Sequence, residues 1–390
     1  MKNIVITDDI KYVGCDDKDI DLFESQYYVP NGISYNSYII FDDKITIMDT
    51  VDKRKSGEWV NNIKKSLNGK EPHYLVVSHM EPDHSYSIKI LADMYPNMKI
   101  IGNNKTFDFI KQFFNIENLE ERKVLVKERD EINLGKHKLQ FFMAPMVHWP
   151  EVMVTFDKTD NILFTADAFG KFGTLDTDEL WDCEARRYYF NIVGKYGAQV
   201  QMLLKKVINL DIKIICPLHG QILKDNLEYY INKYNIWSNY EPEDKGIFIA
   251  YASIHGNTKN AVTELKKMLK ESGIEKIITA DLSREDMAEC VENAFRYDKL
   301  ILAASSYNGS VFTPMHRFLI ELQERNYQNR KLGLIENGTW APTAAKSMKE
   351  IITSMKNIEL YENVVTIKSA LNEESISKMQ ELVNEIISKS

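Results

Sequence analysis

Apolar residues along this chain fall into short runs, and the rhythm of those runs changes partway along. Before residue 240 they stand at 37–41, 45–48, 74–77, 98–101, 138–143, 152–156, 162–165 and 212–216. Runs of this length between turn residues read as strands. The first two flank Asp42-Asp43 and predict a hairpin. Two-period strands with a few helical patterns between them point to an α/β sandwich rather than a barrel.

From residue 247 onward the alternation is regular. Strands are predicted at 247–251, 276–280, 299–304, 331–335 and 363–367, with helices at 259–271, 284–296, 314–325, 343–355 and 373–388. Strands separated by helices imply a parallel, doubly wound sheet that binds its ligand beyond the carboxyl ends of the strands. Between the two regimes lies Tyr240-Glu241-Pro242-Glu243-Asp244-Lys245-Gly246, where Pro, Gly and charge cluster. The expected domains are therefore 1–243 and 244–390.

Bulk composition narrows the function. A chain of 390 residues, 44% hydrophobic and 27% charged, is long enough for two globular cores. A formal net charge of −8 argues against nucleic acid as a partner, because phosphate binding needs a basic face. No run approaches the roughly 20 apolar residues that span a bilayer. The opening MKNIVITDDI carries acids where a signal peptide needs an apolar stretch. The expectation is a cytoplasmic protein with no membrane partner. Cys15, Cys183, Cys216 and Cys290 stand far apart without a C-x-x-C pair, so they are read as free thiols, and no rubredoxin-type or zinc-ribbon module is expected in the chain.

The densest chemistry is Ser78-His79-Met80-Glu81-Pro82-Asp83-His84, directly after the strand predicted at 74–77. His148, Asp167 and His219 stand in the same relation to the strands at 138–143, 162–165 and 212–216. Strand ends on one edge of a sheet converge, so these seven donors are expected to meet in one pocket. Four imidazoles and three carboxylates suit two metal ions sharing a bridging carboxylate, about 3.5–4 Å apart. A structural zinc site would favour cysteine and close with four ligands. The donor set is compatible with iron, manganese or zinc. His73, His137 and His316 lack such company and are read as ordinary surface or core histidines.

A second constellation follows the boundary. Ser253, Ile254, His255, Gly256, Asn257 and Thr258 lie between a strand and a helix, and their hydroxyls and free N–H groups suit a phosphate, although a plain helix cap would use the same residues. Neither G-x-x-x-x-G-K-[ST] nor G-x-G-x-x-G is present, which argues against nucleoside triphosphates and dinucleotides. Two further loops share the same sheet edge: Ser305, Ser306, Tyr307, Asn308, Gly309 after the third strand, and Asn337, Gly338, Thr339, Trp340 after the fourth. Each offers a glycine for close approach and an aromatic side chain able to cover a flat ring.

These motifs resemble a known family. His79 to His84 with His148, Asp167 and His219 resembles the metallo-β-lactamase-type αββα sandwich, whose hydrolases carry H-x-H-x-D-H. Glu81 at the second histidine position and Trp149-Pro150-Glu151 after His148 resemble flavodiiron proteins. The three later loops resemble a flavodoxin-like domain binding FMN. The resemblance covers nearly the whole chain and implies the minimal two-domain class. It assigns one iron to His79, Glu81 and His148, the other to Asp83, His84 and His219, with Asp167 bridging. It implies FMN with its phosphate on Ser253 to Thr258 and its ring near Tyr307 and Trp340. The implied activity is reduction of dioxygen to water, nitric oxide to nitrous oxide, or both. Electrons would come from a rubredoxin-like donor through FMN, in a head-to-tail homodimer or dimer of dimers. Two ferrous ions and a reduced FMN hold four electrons, the number one dioxygen needs. Tyr86 departs from the family, where a small residue is commoner, as do Ser306, where proline is frequent, and Pro342, near which an aromatic residue often stands. The alternative implied by the fold is a zinc-dependent hydrolase with an accessory flavodoxin domain.

Overall fold

The computed structural model describes residues 4–389. The chain divides into two compact units, Met1–Asn235 and Ile236–Ser390.

Two large sheets form the core of the first unit. One runs in the order Ile10–Tyr12, Tyr38–Ile40, Thr46–Met48, Tyr74–Val76, Lys99–Gly102, Lys123–Leu125. The other runs Glu131–Asn133, Lys138–Met143, Met153–Asp157, Ile162–Phe164, Ile214–Cys216. The expected hairpin is present, with Ile39 opposite Ile47 in antiparallel register. Alternate residues of the two sheets share a core: Ile10, Tyr12, Tyr38, Ile40, Met48, Val76 and Ile101 from one, Leu139, Phe141, Met153, Ile162, Phe164 and Cys216 from the other. Helices complete an αββα sandwich. Ser56–Leu67 buries Trp59, Ile63 and Leu67 at helical spacing. Asn104–Phe113 buries Phe107 and Ile110 and starts at a capping box between Asn103 and Thr106.

The second unit is a parallel sheet with helices on both faces. Asp244–Ala252 lies between Ile277–Asp281 and Tyr297–Tyr307, and Gln328–Asn337 follows on the Tyr297–Tyr307 side. The fifth position holds two strands, Lys356–Leu360 and Val365–Ile367, each parallel to Gln328–Asn337. In chain order this is the 2-1-3-4-5 sheet, whose direction reverses between the first and third strands. Ile247, Ile249 and Tyr251 face one core with Leu265 and Leu269 of helix Asn257–Glu271 and Leu382 and Ile386 of helix Glu373–Ser388. Phe248, one residue out of phase, meets Phe318 edge-on at 6.4 Å on the other face. Lys356–Leu360 was not expected. Its alternation of exposed and half-buried positions hides an edge strand among charged residues.

Arg330 knits the lower end of this sheet together. Its buried guanidinium donates to the carbonyls of Tyr297 (2.8 Å), Tyr240 (2.7 Å), Gln328 (3.1 Å) and Asn329 (3.1 Å), and also to that of Phe295. Each buried carbonyl left without a donor costs about 1–3 kcal/mol. Arg330→Met should therefore destabilise the second unit by about 3 kcal/mol or more. Urea unfolding followed by circular dichroism checks this, and metal uptake by the first unit should be unaffected.

Candidate metal centre and flavin pocket

The seven donors predicted from the sequence converge. His79 and Glu81 leave the carboxyl end of Tyr74–Val76, and Asp83 and His84 lie in the one-turn helix Pro82–Ser85, started by Pro82 at its first position. His148, Asp167 and His219 come from loops after Lys138–Met143, Ile162–Phe164 and Ile214–Cys216. They form two groups able to hold metal, His79/Glu81/His148/Asp167 and Asp83/His84/His219. In the first, Glu81 Oε2 lies 3.3 Å from His79 Nε2 and 3.0 Å from His148 Nε2. In the second, Asp83 Oδ2 lies 3.2 Å from His84 Nε2 and 3.1 Å from His219 Nε2. Asp167 divides its oxygens between them. Oδ2 is 3.3 Å from His79 and 3.2 Å from His148, whereas Oδ1 is 3.2 Å from His84 and 3.9 Å from His219.

The fit to cations is chemical as well as geometric. The Nε2 atoms of His84 and His219 face each other at 3.0 Å, an arrangement that two neutral imidazoles hold only around a proton or an ion. Both oxygens of Asp83 and both of Asp167 are buried, and apart from the imidazole nitrogens of the pocket they have no hydrogen-bond partner. Unpaired buried carboxylates cost several kcal/mol each. Two divalent ions among these donors would satisfy every one of these groups.

Side-chain ionisation reflects the same crowding. Burial opposes the charge on Asp167, but the imidazoles of His79, His148 and His84 outweigh it and hold the carboxyl well below its usual range. Glu81 is lowered likewise, against burial, by His148 and His79. Burial, with Glu81 and Asp167 nearby, pushes Asp83 up to about 7. Burial pulls on His148 too, yet Asp167 and Glu81 raise it to about 9. His219 is lowered, chiefly by burial.

Several groups that fix the donors were not predicted. Glu151, fully buried, accepts from Met80 N at 2.7 Å and pairs with His79 Nδ1 at 2.7 Å. His219 Nδ1 donates to the Ser34 carbonyl at 2.7 Å. Asp49 accepts from Ser78 N at 2.6 Å, and Thr50 Oγ1 donates to the His84 carbonyl at 2.5 Å. Tyr234, stacked on Phe169 at 4.2 Å, takes the Phe169 N–H at 2.5 Å and pins the loop that carries Asp167. Tyr86 is part-exposed and lies under the ammonium of Lys53 at 5.7 Å. His137, read as an ordinary histidine, is buried and pairs with Asp157 at 2.9 Å, apart from this pocket.

In the second unit the three predicted loops border one cavity of about 630 Å³. All the predicted residues except Gly256 line it, together with Ala341, Thr343 and Ser369. Gly256 caps the helix Asn257–Glu271 at φ +93°, where its role is conformational. Ser253 Oγ accepts from Gly256 N at 3.1 Å and Lys259 N at 3.3 Å, and Thr258 Oγ1 lies 3.0 Å from Ser305 Oγ. A Cβ on Gly338 would stand 2.7 Å from Pro342 Cα and 3.1 Å from Ser306 Oγ, so the fourth-strand loop needs glycine there. Trp340 is 91% exposed and Tyr307 48%, so neither ring serves to fill a core. Hydroxyls and N–H groups together with two accessible aromatic rings suit a phosphate joined to a flat heterocycle, and FMN fits that description.

A carboxylate–histidine pocket for two ions and a flavodoxin-like unit in one chain define a recognisable class. Residues 33–220 match the family model "ODP family beta lactamase". An uncharacterized protein of Methanocaldococcus jannaschii is 29% identical over 96% of both chains. An anaerobic nitric oxide reductase flavorubredoxin of Vibrio vulnificus is 28% identical over 86% of this chain and 70% of its own length. Among solved structures, rubredoxin oxygen:oxidoreductase from the anaerobe Desulfovibrio gigas superimposes with a TM-score of 0.92 at 22% identity, covering 100% of this chain and 98% of that one. The flavodiiron protein of Giardia intestinalis does so with a TM-score of 0.89 at 21% identity, covering 100% and 97%. The chain shares the fold of these solved structures, a metallo-β-lactamase-like unit followed by a flavodoxin-like one.

Ionisation and metal binding should be coupled. With metal absent, Asp83 favours its protonated form and His148 contributes stability while it remains charged. As pH rises from 7 to 9, Asp83 completes its ionisation and His148 loses its proton, and both changes lower stability. His219, with its lowered pKa, titrates below this interval. Metal needs the deprotonated donors and is held more tightly as pH rises. The gain in melting temperature on adding Zn(II) should therefore be larger at pH 9 than at pH 7; an equal gain would contradict these assignments.

Proposed function

We propose that the chain is a flavodiiron reductase that takes dioxygen to water, nitric oxide to nitrous oxide, or both. The observation that carries this reading is a pair of buried donor groups joined through the two oxygens of Asp167, in a chain that also holds a cavity of about 630 Å³ lined by hydroxyls, amides and aromatic rings. His79, Glu81 and His148 would hold one iron, Asp83, His84 and His219 the other, with Asp167 shared. Loaded with two irons and FMN, such a protein has redox chemistry for four electrons within one chain. The names of the Desulfovibrio gigas and Vibrio vulnificus proteins, an oxygen oxidoreductase and a nitric oxide reductase, support the choice of gases.

In this reading the chain's own residues place, insulate and balance charge. Glu81, Asp83 and Asp167 supply three negative charges, which leave a small net positive charge on two divalent ions. Burial of His79, His84 and His219 keeps bulk water from the donors. Ser253, Asn257, Thr258 and the helix start would hold the phosphate of FMN, with Gly256 shaping the turn, and Tyr307 and Trp340 would cover its ring. Because Trp340 is almost fully exposed, it is free to meet a second subunit. A head-to-tail homodimer, alone or paired into a dimer of dimers, would bring the flavin of one chain to the metals of its partner. A rubredoxin-like protein would supply the electrons. The reading includes a cytoplasmic location, supported by the buried free thiols of Cys15, Cys216 and Cys290 and by the absence, among the described residues, of any helix long and apolar enough to cross a membrane.

A zinc hydrolase with the same sandwich is the competing possibility, and Glu81, an oxygen donor where those enzymes carry histidine, argues against it. Asp167→Ala should remove more than 99% of dioxygen and nitric oxide consumption, measured with gas electrodes on anaerobically reduced protein, and leave the flavin spectrum intact. Unchanged consumption, or wild-type protein that takes up only zinc, would reject the reading. A variant held monomeric should keep its flavin and lose turnover, and full turnover from a strictly monomeric sample would reject the dimer.

A further inference from the structure

We propose that Glu151 makes the two metal positions unequal, so that the His79/Glu81/His148 position keeps the oxidised ion when the pair holds one electron fewer than its fully reduced state. The inference rests on the diiron reading above and deepens it. Glu151 has no accessible surface, and its Oε1 sits 2.7 Å from His79 Nδ1. The same oxygen takes the Met80 N–H at 2.7 Å, and Asn103 Nδ2 donates to the Glu151 carbonyl at 2.6 Å, which fixes the residue in place. Oε2 is buried with no hydrogen-bond partner, so nothing beyond these two donors spreads the charge.

The other position is backed differently. His219 Nδ1 donates to the neutral carbonyl of Ser34 at 2.7 Å, and His84 Nδ1 is buried without a partner. Each position otherwise has one carboxylate of its own, Glu81 or Asp83, and one oxygen of Asp167. The group behind the imidazole is therefore the main difference between them. A carboxylate behind a ligating histidine raises the basicity of the ring and stabilises the higher charge on the ion it holds. A buried charge this close is poorly screened and adds in the same direction. Removal of one electron from two ferrous ions gives one ferric and one ferrous ion. Glu151 directs the ferric one to its own side and leaves the ferrous one between Asp83, His84 and His219. Glu151 acts through His79 and is a positioning residue.

The two positions then have separate one-electron potentials, and the gap between them measures the effect of Glu151. In Glu151→Gln the amide oxygen still accepts from His79 and Met80, but the charge is gone. Holoprotein loaded with ⁵⁷Fe is titrated between diferric and diferrous, with mixed-valent signal followed by electron paramagnetic resonance and Mössbauer spectroscopy. The lower potential should rise by the equivalent of a tenfold change in equilibrium, about 59 mV, so the gap narrows and the mixed-valent population falls. Iron affinity should drop about 10–100-fold. Glu151→Asp keeps the charge but withdraws it, and should shift the same couple by less; it also serves if the glutamine variant does not fold. An unchanged gap in either metal-replete variant overturns the proposal. Wild-type protein that takes up no pair of irons would overturn the diiron reading itself, and this inference with it.

Discussion

The first unit is organised around negative charge that has nowhere to go. Asp83 and Asp167 are buried, and apart from the imidazoles around them, which hold Asp167 ionised, nothing among the described residues offsets their charge. A protein interior tolerates this only if cations arrive or protons are taken up. The surrounding scaffold is correspondingly rigid. Each donor leaves the end of a strand, and the peptide next to it is tied to a distant element: Ser78 N to Asp49, the His84 carbonyl to Thr50, Phe169 N to Tyr234. Such ties hold like charges at separations they would not otherwise choose, which is how a pocket stays shaped for two ions.

Much of this was legible in the sequence because each donor is local to a strong signal. The strands at 74–77 and 162–165 are short apolar runs that end abruptly in polar residues, and Pro82 marks the start of a helical turn. The same logic located the loops of the second unit, where strand and helix periods alternate cleanly. What escaped was set by long-range geometry or by weak periodicity. Glu151 reaches His79 across 72 positions, and the Ser34 carbonyl reaches His219 across 185; no local pattern encodes either. The early strands Cys15–Asp17, Leu22–Phe23 and Tyr27–Tyr28 are too short to show a period. Lys356–Leu360 is an edge strand whose polar outward positions dilute its signal, and Ser369, just past Val365–Ile367, was missed as well.

The two sites use opposite electrostatics in a chain of net charge −8. The metal pocket concentrates carboxylates. The cavity of the second unit is lined by hydroxyls, amides and aromatic rings, with no lysine or arginine among its lining residues. An anion there depends on backbone N–H groups and on the start of helix Asn257–Glu271, whose first turn carries no acidic residue to oppose it. Neutral dipoles would hold a phosphate there without placing a fixed positive charge in the cavity.

Ser306 illustrates how a departure from a family pattern is resolved locally. Its hydroxyl accepts from Thr343 N at 2.8 Å and Ala344 N at 3.1 Å, which caps the helix Ala344–Ile352 from the end of strand Tyr297–Tyr307. Proline at this position would have no such hydroxyl. Glu336 adds a second tie to the same helix start, accepting from Ala345 N at 2.9 Å and from Thr366 Oγ1 at 2.9 Å. The third, fourth and fifth strand ends are thereby joined through one helix N-terminus. Pro342 sits within this junction against Gly338, so the loop carrying Trp340 is held at both ends while the indole projects freely. An aromatic residue at 342 would have to displace that packing, and Trp340, two residues earlier, is the exposed aromatic side chain this loop presents to the cavity.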